Sequence, residues 1–88
     1  MGLTRVERAT LFDYYGNLLA DRQRDCFDLY YNEDYSLAEI AELKGISRHG
    51  VWDAIRHADE RLMEFEEKTG LVRRIQELEW LLKTYQTN

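Results

Sequence analysis

Not one of the 88 residues is proline, and apolar side chains recur three and four positions apart from one end of the chain to the other. That is the spacing of one face of an α-helix, whereas the period-two alternation of a half-buried strand is nearly absent. An all-α fold of about five helices is therefore expected. At 44% hydrophobic content the length allows one compact core of ordinary size rather than two, so residues 1–88 read as a single domain.

Helix signals punctuate the chain. Thr4 is placed to cap a first helix running to about Leu19, with Val6, Phe12, Tyr15 and Leu19 near one face. Asp21 is placed to cap a second, roughly Arg22 to Asn32, whose stripe holds Gln23, either Cys26 or Phe27, and Tyr30. Ser36-Leu37-Ala38-Glu39 matches the capping box and opens a third helix that buries Leu37, Ile40 and Ala41. Gly45 can take the positive φ of a sharp helix end, and Ser47 caps the fourth helix at once. There Val51, Ile55, Ala58 and Leu62 share a face. Gly70 ends that helix, and a fifth spans about residues 71–86.

The window from about residue 36 to 62 reads as a helix-turn-helix. Two helices meeting at a steep angle over a short turn need a small residue at closest approach, here Ala41, a turn glycine, Gly45, and apolar clamps, Ile46 and Val51. The outward face of the second of these helices is where such a motif places residues that reach base edges. Arg48, His49, Trp52, Arg56 and Arg61 are the candidate nucleic-acid-binding residues, with Arg48 the best placed and Arg56 and Arg61 suited to phosphates. Trp52 either anchors a partner or folds against Tyr35 or the fifth helix.

Charge pulls the other way. A formal net charge of −5 argues against indiscriminate nucleic-acid binding, which needs clustered Lys and Arg. Residues 21–35 carry Arg22 and Arg24 against Asp21, Asp25, Asp28, Glu33 and Asp34, and Asp21, Asp25 and Asp28 fall at helical spacing as a candidate partner-binding stripe. The aromatics between Tyr14 and Tyr35 are interleaved with acids rather than bases, which favours packing over base stacking.

Other chemistry finds little support. No Ser, Thr or Cys has a base at catalytic spacing, and no glycine-rich phosphate loop exists, so no enzyme and no small-molecule substrate are expected. Cys26 stands alone as a small buried hydrophobe, and His49 and His57 lie too far apart to share a metal, so no metal or cofactor is expected. Met1-Gly2-Leu3-Thr4 lacks a charged segment followed by an apolar one, and no apolar run could span a bilayer; a soluble, cytoplasmic protein without membrane contact is expected. In the fifth helix Leu71, Ile75, Leu78, Leu82 and Tyr85 form a stripe with Leu81 beside it, which suits either self-association, as a homodimer, or return to the core.

Two family resemblances follow from these residues. Leu19, Arg22-Gln23-Arg24, Leu29-Tyr30-Tyr31, Ser36 to Ala41 and Ile46-Ser47-Arg48 resemble region four of bacterial sigma factors. A longer match, about Leu11 to Leu71, resembles the YlxM family of small bacterial proteins: Leu11 to Leu19, Asp21-Arg22-Gln23, Leu29 to Glu42, Ser47-Arg48, Val51 and Asp53. This resemblance implies a sigma region four-like helix-turn-helix, without a wing, carrying an additional helix at each end. It also implies a nucleic-acid-binding or regulatory protein, encoded near the signal recognition particle GTPase and acting in that targeting pathway. Duplex DNA or structured RNA, and the particle's GTPase or receptor, are the partners so implied. The sequence departs from the family at Gly50, Trp52 and Ala54, positions expected to face solvent.

Overall fold

The computed structural model describes residues 3–86, with Met1 and Gly2 of the N-terminal reading outside that range. Five α-helices follow one another: α1 (Arg5–Tyr15), α2 (Asp21–Phe27), α3 (Leu37–Lys44), α4 (Arg48–Thr69) and α5 (Leu71–Gln86). A 3₁₀ turn, Gly16–Leu18, separates α1 from α2, and a π turn, Asp28–Asn32, extends α2. No strand occurs among the described residues.

α4 organises the body, because its apolar face is long enough to serve two clusters. Its first half contributes Val51, Ala54 and Ile55, which close with Cys26 and Ile40 over the turn between α3 and α4. Its second half contributes Ala58 and Leu62, which meet Leu11, Tyr15, Leu19, Phe27 and Val72 from α1, α2 and α5. Tyr31 packs against both clusters and links them. An ion pair fastens α1 to α4: the Arg8 guanidinium donates to both carboxylate oxygens of Asp59 at 2.9–3.0 Å, with its Cζ 4.8 Å from the centre of the Tyr31 ring.

Several boundaries differ from the sequence reading. α1 stops at Tyr15 rather than Leu19, and the buried face uses Leu11 in place of Val6, which is 76% exposed. The cause lies in Gly16, where the chain tightens against the Phe12 ring and turns so that Leu19 enters the core from an extended residue. Asp21 does not cap α2; Ala20 holds the cap position without a side-chain bond, and Asp21 is the first helical residue. α2 gives way to the π turn because Leu29, Tyr30 and Tyr31 are all half-buried, and three consecutive residues cannot face one side of a regular helix. Ala54 is buried, not solvent-facing, since it lies three residues after Val51 and widens the α4 stripe.

α5 departs from the compact body. Val72 is its buried residue, and the dimensions of the molecule, 54 × 24 × 24 Å, match a helix directed outward. The radius of gyration is 15.5 Å, where a compact domain of this length would have about 12 Å.

Candidate nucleic-acid interface

Local chemistry fixes the two helices of the motif. The Ser36 hydroxyl accepts from the Glu39 N–H at 3.1 Å, and the Glu39 carboxylate accepts from the Ser36 N–H at 2.9 Å, completing the capping box. The backbone N–H and then the side chain of Ser36 hold the Glu39 carboxyl below the ordinary value. At the far end Gly45 adopts φ 66°, and the Ile46 N–H reaches back to the Ala41 carbonyl at 3.1 Å, so the chain reverses within one residue. Ser47 then caps α4, its hydroxyl accepting from the Gly50 N–H at 3.0 Å. Val51 is fully buried beneath the turn, as a clamp requires.

This frame presents the first turn of α4 to solvent, and the five candidate side chains separate into different environments. Arg48 is exposed at the head of the helix and forms no ion pair among the described residues. Trp52, one turn on, is 44% exposed and stacks on no other ring among the described residues. His49 is exposed and lies 3.4 Å from Asp53, an attraction that operates when the imidazole is protonated. Arg56 is held twice by its own helix, by Glu60 at 2.7 Å and by Asp53 at 3.6 Å. Arg61 lies 4.9 Å over the Phe65 ring, beside a hollow lined by Leu18, Leu19, Ala20 and Gln23.

The three arginines therefore make no single basic strip. Arg48 and Arg61 are 13 residues apart, which on an α-helix is about 20 Å along the axis and nearly opposite flanks. The outward face of α4, between these two flanks, carries Asp53, Glu60, Glu64 and Glu67 at helical spacing, of which Asp53 and Glu60 pair with Arg56 and Glu64 with Lys68. The spacing of seven, four and three makes this stripe legible in the sequence.

The second candidate set is also redistributed. Asp21 is exposed at the start of α2, but Asp25 accepts from the Lys44 ammonium at 2.8 Å, and Asp28 accepts from the Asn32 amide at 2.7 Å within the π turn. Two of the three carboxylates thus hold local structure together, and no free outward stripe runs along α2. Cys26 is wholly buried, and desolvation pushes its thiol above the ordinary value. Among the described residues no group of three or more His, Cys, Asp or Glu could hold a metal ion, and no helix is long and apolar enough to cross a membrane.

A short, doubly capped turn between α3 and α4, clamped from below and offering the head of α4 to solvent, defines a helix-turn-helix protein. Residues 3–88 match the family model described as "Putative helix-turn-helix protein, YlxM / p13 like", and the chain belongs to that family, UPF0122. It is 48% identical over 83 residues to the UPF0122 protein YofM of Lactococcus lactis subsp. lactis, covering 90% of this chain and 75% of that one. It is 56% identical over 68 residues to a UPF0122 protein of Thermoanaerobacter sp. (strain X514), covering 77% of this chain. A UPF0122 protein of Symbiobacterium thermophilum is 48% identical over 64 residues, 73% of this chain. The chain spans 58% and 60% of the length of these last two relatives.

Proposed function

We propose that this chain is a non-enzymatic, cytoplasmic regulatory protein that binds nucleic acid through the head of α4. The observation that carries this reading is Arg48, a cation with no ion pair among the described residues, in the first turn of a helix whose partner α3 is set by a capping box and a left-handed glycine. Trp52, one turn on and 44% exposed, supplies apolar area open to solvent, and His49 supplies a further donor. Arg56 can join only by leaving Asp53 and Glu60, and Arg61 only at a separate phosphate. Binding should therefore be weak and rest on few phosphates. Titration of duplex DNA and of a structured RNA at several salt concentrations should give a salt slope of magnitude about 2, at ~0.9 per phosphate neutralised. Arg48→Ala should weaken that binding about tenfold. Failure of the chain to bind either nucleic acid at low salt would overturn the reading.

A second reading is favoured by the acid-rich outward face of α4, Asp53, Glu60, Glu64 and Glu67, the first three of which would exchange partners on their own helix for a basic surface, together with exposed Asp21. In it the motif docks on a basic protein surface, and the family resemblance supplies the signal recognition particle GTPase or its receptor as the candidate. Retention of neither on the immobilised chain at low salt would remove it. In both readings α5 serves self-association, with Leu71, Ile75, Leu78, Leu82 and Tyr85 as the contact residues of a homodimer.

A further inference from the structure

Docking α5 onto the body leaves its apolar stripe open. Val72, the buried residue, lies about a quarter turn away from the line of Leu71, Ile75, Leu78, Leu82 and Tyr85. Of that line only Ile75 is half-buried, while Leu82 and Tyr85 are 61% and 78% exposed. The intervals alternate between four and three, which is the repeat of a two-stranded seam.

We propose that this stripe is the seam of a parallel pairing between α5 and the same helix of a second copy of this chain. The proposal rests on the reading of α5 as the self-association element and adds its orientation. Charge decides that orientation. With Ile75 and Leu82 at the a positions and Leu71, Leu78 and Tyr85 at the d positions, Arg74 falls at g and Glu79 at the e that follows. In a parallel pair each g faces that e of the other helix, so Arg74 meets Glu79 of the second copy on both sides of the seam. An antiparallel pair with the same layers sets position 75 against position 85 and brings the two Glu79 carboxylates toward each other. Arg74 is free to make the exchange, since its present partner is Glu77 on the same helix at 3.3 Å, with both side chains exposed.

The area is consistent with a weak dimer. The stripe and Leu81, which flanks it at the second g position, would remove roughly 500 Å² of surface from each chain, about 1,000 Å² in all, the lower edge of specific interfaces. About two heptads give a seam that forms only at micromolar concentrations or above.

Sedimentation of the full chain from low micromolar to near-millimolar concentration should show a concentration-dependent dimer. Tyr85→Cys tests its orientation, because a parallel pair sets the two thiols side by side and an antiparallel one holds them about 15 Å apart along the axis. Oxidation of that variant should trap a covalent dimer, with the unaltered chain as control because Cys26 is fully buried. Glu79→Lys should weaken the dimer about fivefold by turning two attractive pairs into repulsive ones, and adding Arg74→Glu should restore it. A dimer that does not cross-link at position 85, or that ignores Glu79→Lys, overturns the parallel arrangement and spares self-association. A monomer throughout overturns both.

Discussion

At the scale of single residues, the carboxylate of Glu66 joins more of the structure than any residue singled out by motif. One oxygen accepts from the Tyr15 hydroxyl at 2.6 Å and from the Val72 N–H at 3.0 Å, and the other accepts from the Arg73 N–H at 3.0 Å. It thereby ties α1 to α4 and supplies the open N–H groups at the start of α5 with acceptors. Partial burial alone would raise its pKa; the bonds from Tyr15, Arg73 and Val72 together outweigh this and hold it below the ordinary carboxylate value. Burial, and then the bond to Glu66, keeps the Tyr15 hydroxyl above its ordinary value, so it stays a donor at neutral pH. Glu66→Gln removes one acceptor oxygen and should cost about 1–2 kcal/mol at pH 7. The sign with pH follows: a lowered folded pKa means the Glu66 contribution is complete above the unfolded value and is lost as pH falls through the folded one. The gap between the two proteins in urea melts should therefore narrow below about pH 4.5. A gap that stays constant down to pH 3 would show that charge on Glu66 is irrelevant. None of this was legible in the sequence, where Glu66 reads only as part of a helix end; its partners lie up to 51 residues away.

At the scale of elements, legibility tracked how local the physical demand is. The caps at Thr4, Ser36 and Ser47, the left-handed Gly45 and Gly70, and the buried line Val51, Ile55, Ala58 and Leu62 all depend on neighbours within one or two turns, and all could be read from the chain. The π turn could not, because it arises from what Leu29, Tyr30 and Tyr31 find on α1, α3 and α4. For the same reason the acidic stripe on α2 is less regular than its helical spacing suggests, because Lys44 and Asn32 occupy two of its members. Asp34 marks the end of this irregular stretch with φ 60°, a conformation Asp tolerates better than most residues, and its carboxylate pairs with Arg5. The capping box gives the cleanest test at this scale. Ser36→Ala removes the acceptor of the Glu39 N–H and should destabilise the protein by about 1 kcal/mol, seen as a lower denaturation midpoint with unchanged slope. An unchanged midpoint would mean that α3 is held in place by Ile40 and its neighbours alone.

At the scale of the whole molecule, the tight body and the outward helix differ in what keeps them ordered. Burial ends at Val72, and beyond half-buried Ile75 every described side chain of α5 is exposed. An isolated helix of this length is marginal in water, so in a lone chain the outer turns of α5 gain little from tertiary packing and should open far more readily than α4. A second copy on the seam changes this. Pairing would shelter Leu78, Leu82 and Tyr85, and opening the helix would then also cost the seam. Amide hydrogen exchange separates the two states without any substitution. At low micromolar concentration the amides of residues 78–86 should exchange rapidly, while those of residues 54–62, which lie in the buried middle of α4, stay protected. Raising the concentration toward millimolar should slow exchange in residues 78–86 and leave residues 54–62 unchanged. The direction is diagnostic, because a contact made within one chain has no dependence on concentration, whereas a contact between copies must strengthen with it by mass action. Protection of residues 78–86 that is already high in dilute solution and does not change would place their support within the single chain and leave the exposed stripe without a structural role.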